Sequence, residues 1–118
     1  MAYEINFFGH CSEDNHDKVW GYVTVQGDEL YNFWGRRGKK FAFQKQAGAV
    51  WHSSNLLHKK AEEKCRRGRR SGTYVRIPTE RIEEVWPGFK DEFDVQLIYT
   101  KLSGNFRRGG DDDDSARV

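Results

Sequence analysis

Residues 18–36 have the sequence KVWGYVTVQGDELYNFWGR, in which β-branched and aromatic side chains alternate on both sides of a Gly27-Asp28 pair. Glycine and aspartate at adjacent positions favour a tight turn between two strands. The stretch therefore predicts a β-hairpin whose strands run from Lys18 to Gln26 and from Glu29 to Arg36.

Strands are also predicted on both sides of this hairpin. Tyr3 to Phe8 places Tyr3, Ile5 and Phe7 on one face, and a polar loop follows. Beyond the Arg37-Gly38-Lys39 turn, Lys40 to Gln46 alternates two core phenylalanines with smaller or polar residues. The first 46 residues therefore predict a four-stranded antiparallel meander.

The periodicity becomes helical after Gly48. Ser53, Ser54 and Asn55 are good N-cap residues, and the chain then runs to Arg67 without glycine or proline. One face of this segment is apolar and consists of Val50, Leu57, Ala61 and Cys65. The pattern predicts one long helix with Gly68 as its C-cap.

The remaining elements are shorter. Tyr74 to Ile77 is extended, and Pro78 opens a short amphipathic helix. Glu92 to Lys101 alternates apolar and polar residues and predicts a C-terminal strand, with one face formed by Phe93, Val95, Leu97 and Tyr99. The fold class is α+β: an antiparallel β-sheet meander with one long α-helix packed on one face, a short second helix and the C-terminal strand. Residues 1–102 form a single domain, and 103–118 form a disordered acidic tail.

Charge is distributed unevenly along the chain. The 118 residues have a net charge of only +2, but residues 36–76 contain thirteen basic and two acidic side chains and carry +11. The segments before and after it carry −5 and −4. A basic block of this kind is typical of a surface that binds phosphates.

The basic block begins at Trp34-Gly35-Arg36, where a large ring and a guanidinium flank a glycine that permits close approach of a backbone or a ligand. Aromatic and cationic groups at the end of a sheet suit a nucleic-acid contact. The candidate nucleic-acid-binding residues are Trp34, Arg36, Arg37, Lys39, Lys40, Lys59, Lys60, Lys64, Arg66, Arg67, Arg69 and Arg70.

The order of these motifs resembles that of a WGR domain, a family named for its Trp-Gly-Arg motif. The resemblance covers roughly residues 18–77 and includes the preceding strand, the basic helix from Leu56 to Arg67 and the Gly72-Thr73-Tyr74 segment. It implies an antiparallel sheet backed by one long helix, and binding to DNA, often at breaks or ends, as in modules of poly(ADP-ribose) polymerases and bacterial regulators. It also implies that Trp34 packs against an end nucleotide and that Arg36 braces the motif or contacts phosphate.

Purely structural interpretations stand beside these functional ones. Trp34 suits the core of its strand, Arg36 suits an ion pair across the sheet, and the helix lysines and arginines suit a solvated face. A protein partner is the alternative to nucleic acid: the chain would then be an interaction module or small regulator that docks on an acidic surface of a larger nucleic-acid-processing machine.

The sequence predicts a non-catalytic protein without a cofactor or metal. Phosphate-binding glycine loops and paired metal-binding cysteines are missing from it, and the stretch containing His10, Cys11 and His16 favours a polar loop. An apolar run long enough to cross a membrane is also missing, as is a secretory leader. These features predict an intracellular protein, cytoplasmic or associated with the nucleoid or nucleus, that binds nucleic acid, with DNA favoured over RNA, and no membrane.

Overall fold

The structure, a computed structural model, describes residues 2–12, 17–46, 50–66 and 72–103. Along the chain lie the strands β1 (Tyr3–Cys11), β2 (Lys18–Val25), β3 (Glu29–Arg36) and β4 (Ala42–Lys45), and then the helix α1 (Val50–Lys64). The two-residue strand β5 (Val75–Arg76) and a 3-10 turn (Thr79–Arg81) precede α2 (Ile82–Val85) and α3 (Phe89–Ser103). This is an α+β fold, as the sequence predicted.

The five strands form one sheet in the order β4-β3-β2-β1-β5. All neighbouring strands are antiparallel, and β5 pairs with the end of β1 at Gly9 and His10. The predicted meander of four strands is therefore confirmed. Its central hairpin pairs Trp20 with Trp34 and Gly21 with Phe33.

A helix packs on each face of this sheet, whereas the sequence predicted a helix on one face only. On the first face, α1 covers a cluster that includes Trp20, Leu30 and Trp34. On the second face, α2 and α3 cover a cluster rich in phenylalanine: Phe8, Phe33, Phe41, Phe43, Phe89 and Phe93. The domain therefore has three layers, helix, sheet and helix.

The predicted C-terminal strand is wrong, because residues 89–103 form α3. The alternation that suggested a strand comes from two apolar stripes on opposite sides of a helix. Phe89, Phe93 and Leu97 are buried at helical spacing, whereas Val95 and Tyr99 are exposed. Two stripes offset by two residues imitate a period of two in the sequence.

Polar contacts hold α3 on the sheet. The Tyr3 hydroxyl donates to Asp94 Oδ1, and the Phe41 amide donates to Gln96 Oε1 at 2.6 Å. At the other end of α3, Lys101 Nζ lies 2.6 Å from Glu29 Oε1. That hydrogen bond, together with one from Lys45, keeps the pKa of Glu29 below its usual value. Contacts of this kind are formed by tertiary structure and leave no periodic signal.

Two local predictions are also corrected. The pairing register shifts between Ile5 and Phe7, so Phe7 lies on the α1 face while Ile5 packs on the α3 face. A bulge at this point reverses the alternation that the sequence suggests. The helix α1 begins at Val50, so the predicted capping residue Ser53 lies inside it and is buried. The predicted C-cap Gly68 and the tail from residue 104 onward lie outside the described residues.

Gly21 is the position where added volume would be least tolerated. A Cβ atom there would lie 2.2 Å from the backbone oxygen of Phe7 and 2.5 Å from Cζ of Phe33. The backbone oxygen belongs to the paired strand β1 and cannot move without breaking the ladder. A glycine at this point lets the Phe33 ring cross β2.

We expect Gly21→Ala to lower the free energy of unfolding by about 3 kcal/mol or more, because the methyl group must displace a strand and a core ring. Gly27→Ala is the matched control. Its Cβ would meet nothing within 4 Å, so only the backbone strain of its φ of +79° remains, at about 1–2 kcal/mol. Urea unfolding measures both, and equal losses would contradict the packing argument.

Candidate nucleic-acid interface

The turn that follows Trp34 is shaped by contacts within the chain. Gly35 has a φ of +155°, and a Cβ there would lie 3.0 Å from the backbone oxygen of Lys40. The Lys39 amide donates to the Arg36 carbonyl at 3.1 Å and closes the turn. The glycine of the Trp-Gly-Arg motif is therefore needed for the approach of β4 to β3. This turn leaves the side chains of Lys39 and Lys40 exposed.

Arg37 holds this turn to two other segments of the chain. Its Nε and Nη2 lie 3.0 Å from the Asp17 carboxylate, and its Nη1 donates to the Val85 carbonyl at 2.9 Å. Its backbone amide donates to the Asp17 carbonyl at 2.9 Å. A guanidinium with this many partners is a structural clamp joining the start of β2, the β3–β4 turn and α2.

The Asp17 carboxylate has a second partner in His10, whose Nε2 lies 2.8 Å from Oδ1. Partial burial of Asp17 acts to raise its pKa, but the hydrogen bonds from His10 and Arg37 outweigh this effect and hold the pKa below its usual value. His10 is thereby engaged in the clamp. No cluster of three or more potential metal ligands occurs within residues 2–12, 17–46, 50–66 and 72–103, and His16 lies outside them.

Trp34 is a core residue. Only 4% of its surface is exposed, and it packs with Trp20, Leu57 and Ala61 between the sheet and α1. Its indole Nε1 is buried and has no hydrogen-bond partner among the residues that the structure describes. The ring is therefore not exposed for stacking on an end nucleotide in this conformation. Trp34 lies in the core of its strand, which is the structural alternative that the sequence offered.

Lys64 is also enclosed, at the end of α1. Its Nζ lies 5.3 Å from the centre of the Trp20 ring and 5.5 Å from the centre of the Tyr74 ring. Lys18 approaches the same tyrosine from β2, with its Nζ 5.9 Å from the ring centre. Facing aromatic rings stabilise a buried ammonium group. Lys64 therefore acts inside the domain, joining α1 to the sheet.

Sequence reasoning missed this enclosed pair of lysines, although a signal was available. Lys64 follows Leu57 and Ala61 at the helical spacing that defines the buried face of α1. Lys18 precedes Trp20 by two residues and so shares its face of β2. Membership of the basic block concealed the position of Lys64.

The other predicted residues lie at the surface of one end of the domain. Arg36 lies opposite Lys18 in the pairing of β2 with β3, at the end of the sheet. The C-terminal end of α1 lies at the same end of the sheet, because Lys18 and Lys64 both approach the Tyr74 ring. The exposed or half-buried cations of this basic end are Arg36, Lys39, Lys40, Lys59, Lys60 and Arg66. Arg67, Arg69 and Arg70 lie outside the described residues.

A cavity of about 800 Å³ lies apart from this basic end, between β1, α2 and the start of α3. Its wall includes Ile5, Ile82 and Phe89, with Glu83 and Asp94 as acidic groups. Glu83 accepts hydrogen bonds from the amides of Gly88 and Lys90 at the start of α3, and Asp94 accepts one from Tyr3. These carboxylates are used in holding the helices.

The chain was compared with protein-family models, with curated proteins and with solved structures, and none of the three comparisons gave a match. Within the described part of the chain, no helix has the length and apolar character needed to cross a membrane.

The Asp17 clamp predicts a pH-dependent stability. Because the pKa of Asp17 is lower in the folded than in the unfolded chain, its contribution is complete above the usual value of 3.8 and is lost as the pH falls through the folded pKa. Urea unfolding should therefore show Asp17→Asn to be less stable than the unsubstituted protein at about pH 6, with the difference shrinking toward about pH 3.

Asp28→Asn is the control for this measurement, because Asp28 lies exposed in the β2–β3 turn. We expect no comparable difference for it at about pH 6. A difference for Asp17→Asn that stays constant down to about pH 3 would contradict the clamp.

Proposed function

We propose that the chain is a non-catalytic nucleic-acid-binding module of the WGR-like kind, with DNA favoured over RNA. The observation that carries the proposal is the basic end of the domain, with exposed cations at the end of β3, in the β3–β4 turn and at the end of α1. The preference for DNA rests on the resemblance to WGR domains. Such a module would act where nucleic acid is found, in the cytoplasm, nucleoid or nucleus.

The electrostatics of the basic end support a polyanionic partner. Lys39, Lys40 and Lys59 are exposed and form no ion pair with other residues in the described ranges. Phosphates would relieve the mutual repulsion of these side chains and release the counterions that otherwise surround the nucleic acid. Arg67, Arg69 and Arg70 add three charges directly after this surface in the sequence.

The proposal assigns different roles to the twelve candidate residues. The side chains that meet phosphate are those of the basic end, with Lys39 and Lys40 at its tip. Arg37 positions that tip through Asp17. Trp34 and Lys64 are enclosed and support the surface from beneath.

Fluorescence anisotropy with labelled duplex DNA, single-stranded DNA and duplex RNA tests the proposal. Neutralising about six phosphates predicts a loss of affinity by orders of magnitude between about 50 and 200 mM salt. Lys39→Gln should lower the slope of log affinity against log salt by about 1, and the double substitution with Lys40→Gln by about 2. DNA should bind more tightly than RNA.

Lys90→Gln is the matched control. Lys90 is an exposed lysine on α3, which covers the face of the sheet opposite to α1. It should leave the slope unchanged. No binding at about 50 mM salt, binding that salt does not weaken, or equal effects of Lys39→Gln and Lys90→Gln would overturn the proposal.

Trp34→Ala tests whether the indole supports the basic surface from the core or contacts nucleic acid directly. Removing an indole from the core should lower the free energy of unfolding by about 3–5 kcal/mol. Affinity for DNA, corrected for the folded fraction, should change far less than in the Lys39→Gln and Lys40→Gln variant. A loss of affinity without a loss of stability would instead assign the indole to the nucleic-acid contact.

The same cations also suit the alternative of docking on an acidic protein surface. Capture from nuclease-treated extract addresses this alternative: a partner that remains bound after removal of nucleic acid, and is released by Lys39→Gln and Lys40→Gln, would favour it. Release of all bound material by nuclease would support the nucleic-acid module.

A further inference from the structure

The outer face of α3 carries an apolar stripe that the other described residues leave exposed. Val95 is 67% exposed, Ile98 41%, Tyr99 58% and Leu102 83%. Their spacing of three, one and three residues places them on one side of the helix, opposite the buried Phe93 and Leu97. This is a continuous exposed surface, and we call it the α3 stripe.

The area of the α3 stripe equals that of the largest apolar patch on many proteins, and such patches often have a function. The four side chains expose roughly 500 Å², in the range of the largest apolar patch on a typical monomer. Isolated exposed apolar residues are ordinary, but a contiguous stripe on a two-sided helix is typical of an interface.

Residues 104–118 are the intramolecular candidate to cover the stripe. They contain two glycines followed by four aspartates, and their only large apolar side chains are Phe106 and Val118. Two such side chains are too few to bury four others, and the aspartates favour water. The composition of residues 104–118 therefore favours a partner outside the chain.

We infer that the α3 stripe binds the same stripe of a second copy, with the two helices antiparallel. A two-fold axis between Ile98 and Tyr99 places Val95 of each copy opposite Leu102 of the other, so apolar side chains meet along the whole stripe. Both copies together bury roughly 1,000 Å² in this arrangement, which reaches the size of a small specific interface.

The helix dipoles favour the antiparallel direction. An antiparallel pair opposes the two helix dipoles, whereas a parallel pair would align them.

The dimer leaves α1 uncovered on both copies. The helix α1 covers one face of the sheet and α3 the other, so pairing through α3 does not cover α1. The resulting assembly presents the cations of two α1 helices on one particle. The inference does not depend on the proposed function, since it rests on the α3 stripe alone.

Sedimentation equilibrium of the full chain between about 1 and 300 µM tests the dimer. We expect the mass to rise with concentration from 13.8 kDa toward twice that value. Val95→Glu with Leu102→Glu should weaken association at least about tenfold, and far-UV circular dichroism should be unchanged because both side chains are exposed. Leu56→Glu is the matched control, since Leu56 is an exposed leucine on α1.

A monomer at every concentration, or association that survives Val95→Glu with Leu102→Glu, would overturn the inference. Association lost equally in the Leu56→Glu control would do so too, because Leu56 lies on the opposite layer.

Cross-linking tests the direction of the two helices without relying on a disruptive variant. Tyr99→Cys places a thiol beside the two-fold axis, so mild oxidation should link two copies covalently. Leu102→Cys places its two thiols about 10 Å apart along the axis, too far for a disulfide. Linkage through Leu102→Cys, or none through Tyr99→Cys, would overturn the antiparallel pair, and the unsubstituted chain reports any background from Cys11 and Cys65.

Discussion

The structure depends on the crossing of Phe33 over Gly21, the point where the central strands meet the phenylalanine core. The Phe33 ring lies over a residue without a side chain and reaches Phe93 of α3, with the ring centres 5.0 Å apart. On the reverse of the same strands, Trp20 and Trp34 face α1. Since β2 and β3 are covered on both faces, the hairpin can be displaced from neither helix without exposing aromatic surface to water.

This two-sided burial determines which basic residues remain available. The helix α1 packs close to the sheet, so the last cation of its inner face, Lys64, is drawn between Trp20 and Tyr74. The Arg37 side chain forms an ion pair with Asp17 at the turn. What remains at the surface is a set of cations on β3, the β3–β4 turn and the end of α1. Hydrogen bonds from Arg37 to Asp17 and to the Val85 carbonyl fix the backbone of that turn.

The helices α1 and α3 form two different surfaces on opposite sides of the sheet. On one side of the sheet, α1 carries part of the cations that we assign to nucleic acid, while α3 on the other side carries the apolar stripe that we assign to a second copy. Each helix therefore packs on the core with its inner face and carries a distinct surface on its outer face. The helix α3 is apolar on its inner and outer sides, which is why its sequence imitates a strand.

The sequence by itself determined the meander, the hairpin from Lys18 to Arg36 and the positions of Phe41 and Phe43 in the core, because strand alternation and turn residues are local properties of the chain. It also determined the long basic helix and the short helix after Pro78. Tertiary structure alone decided that residues 89–103 form a helix, that a bulge turns Phe7 to the other face, and that Trp34 and Lys64 are enclosed. The physical reason is that an apolar pattern in the sequence shows only which side chains avoid water. Which helix or strand covers those side chains, and which aromatic rings surround an ammonium group, is decided by packing between distant segments.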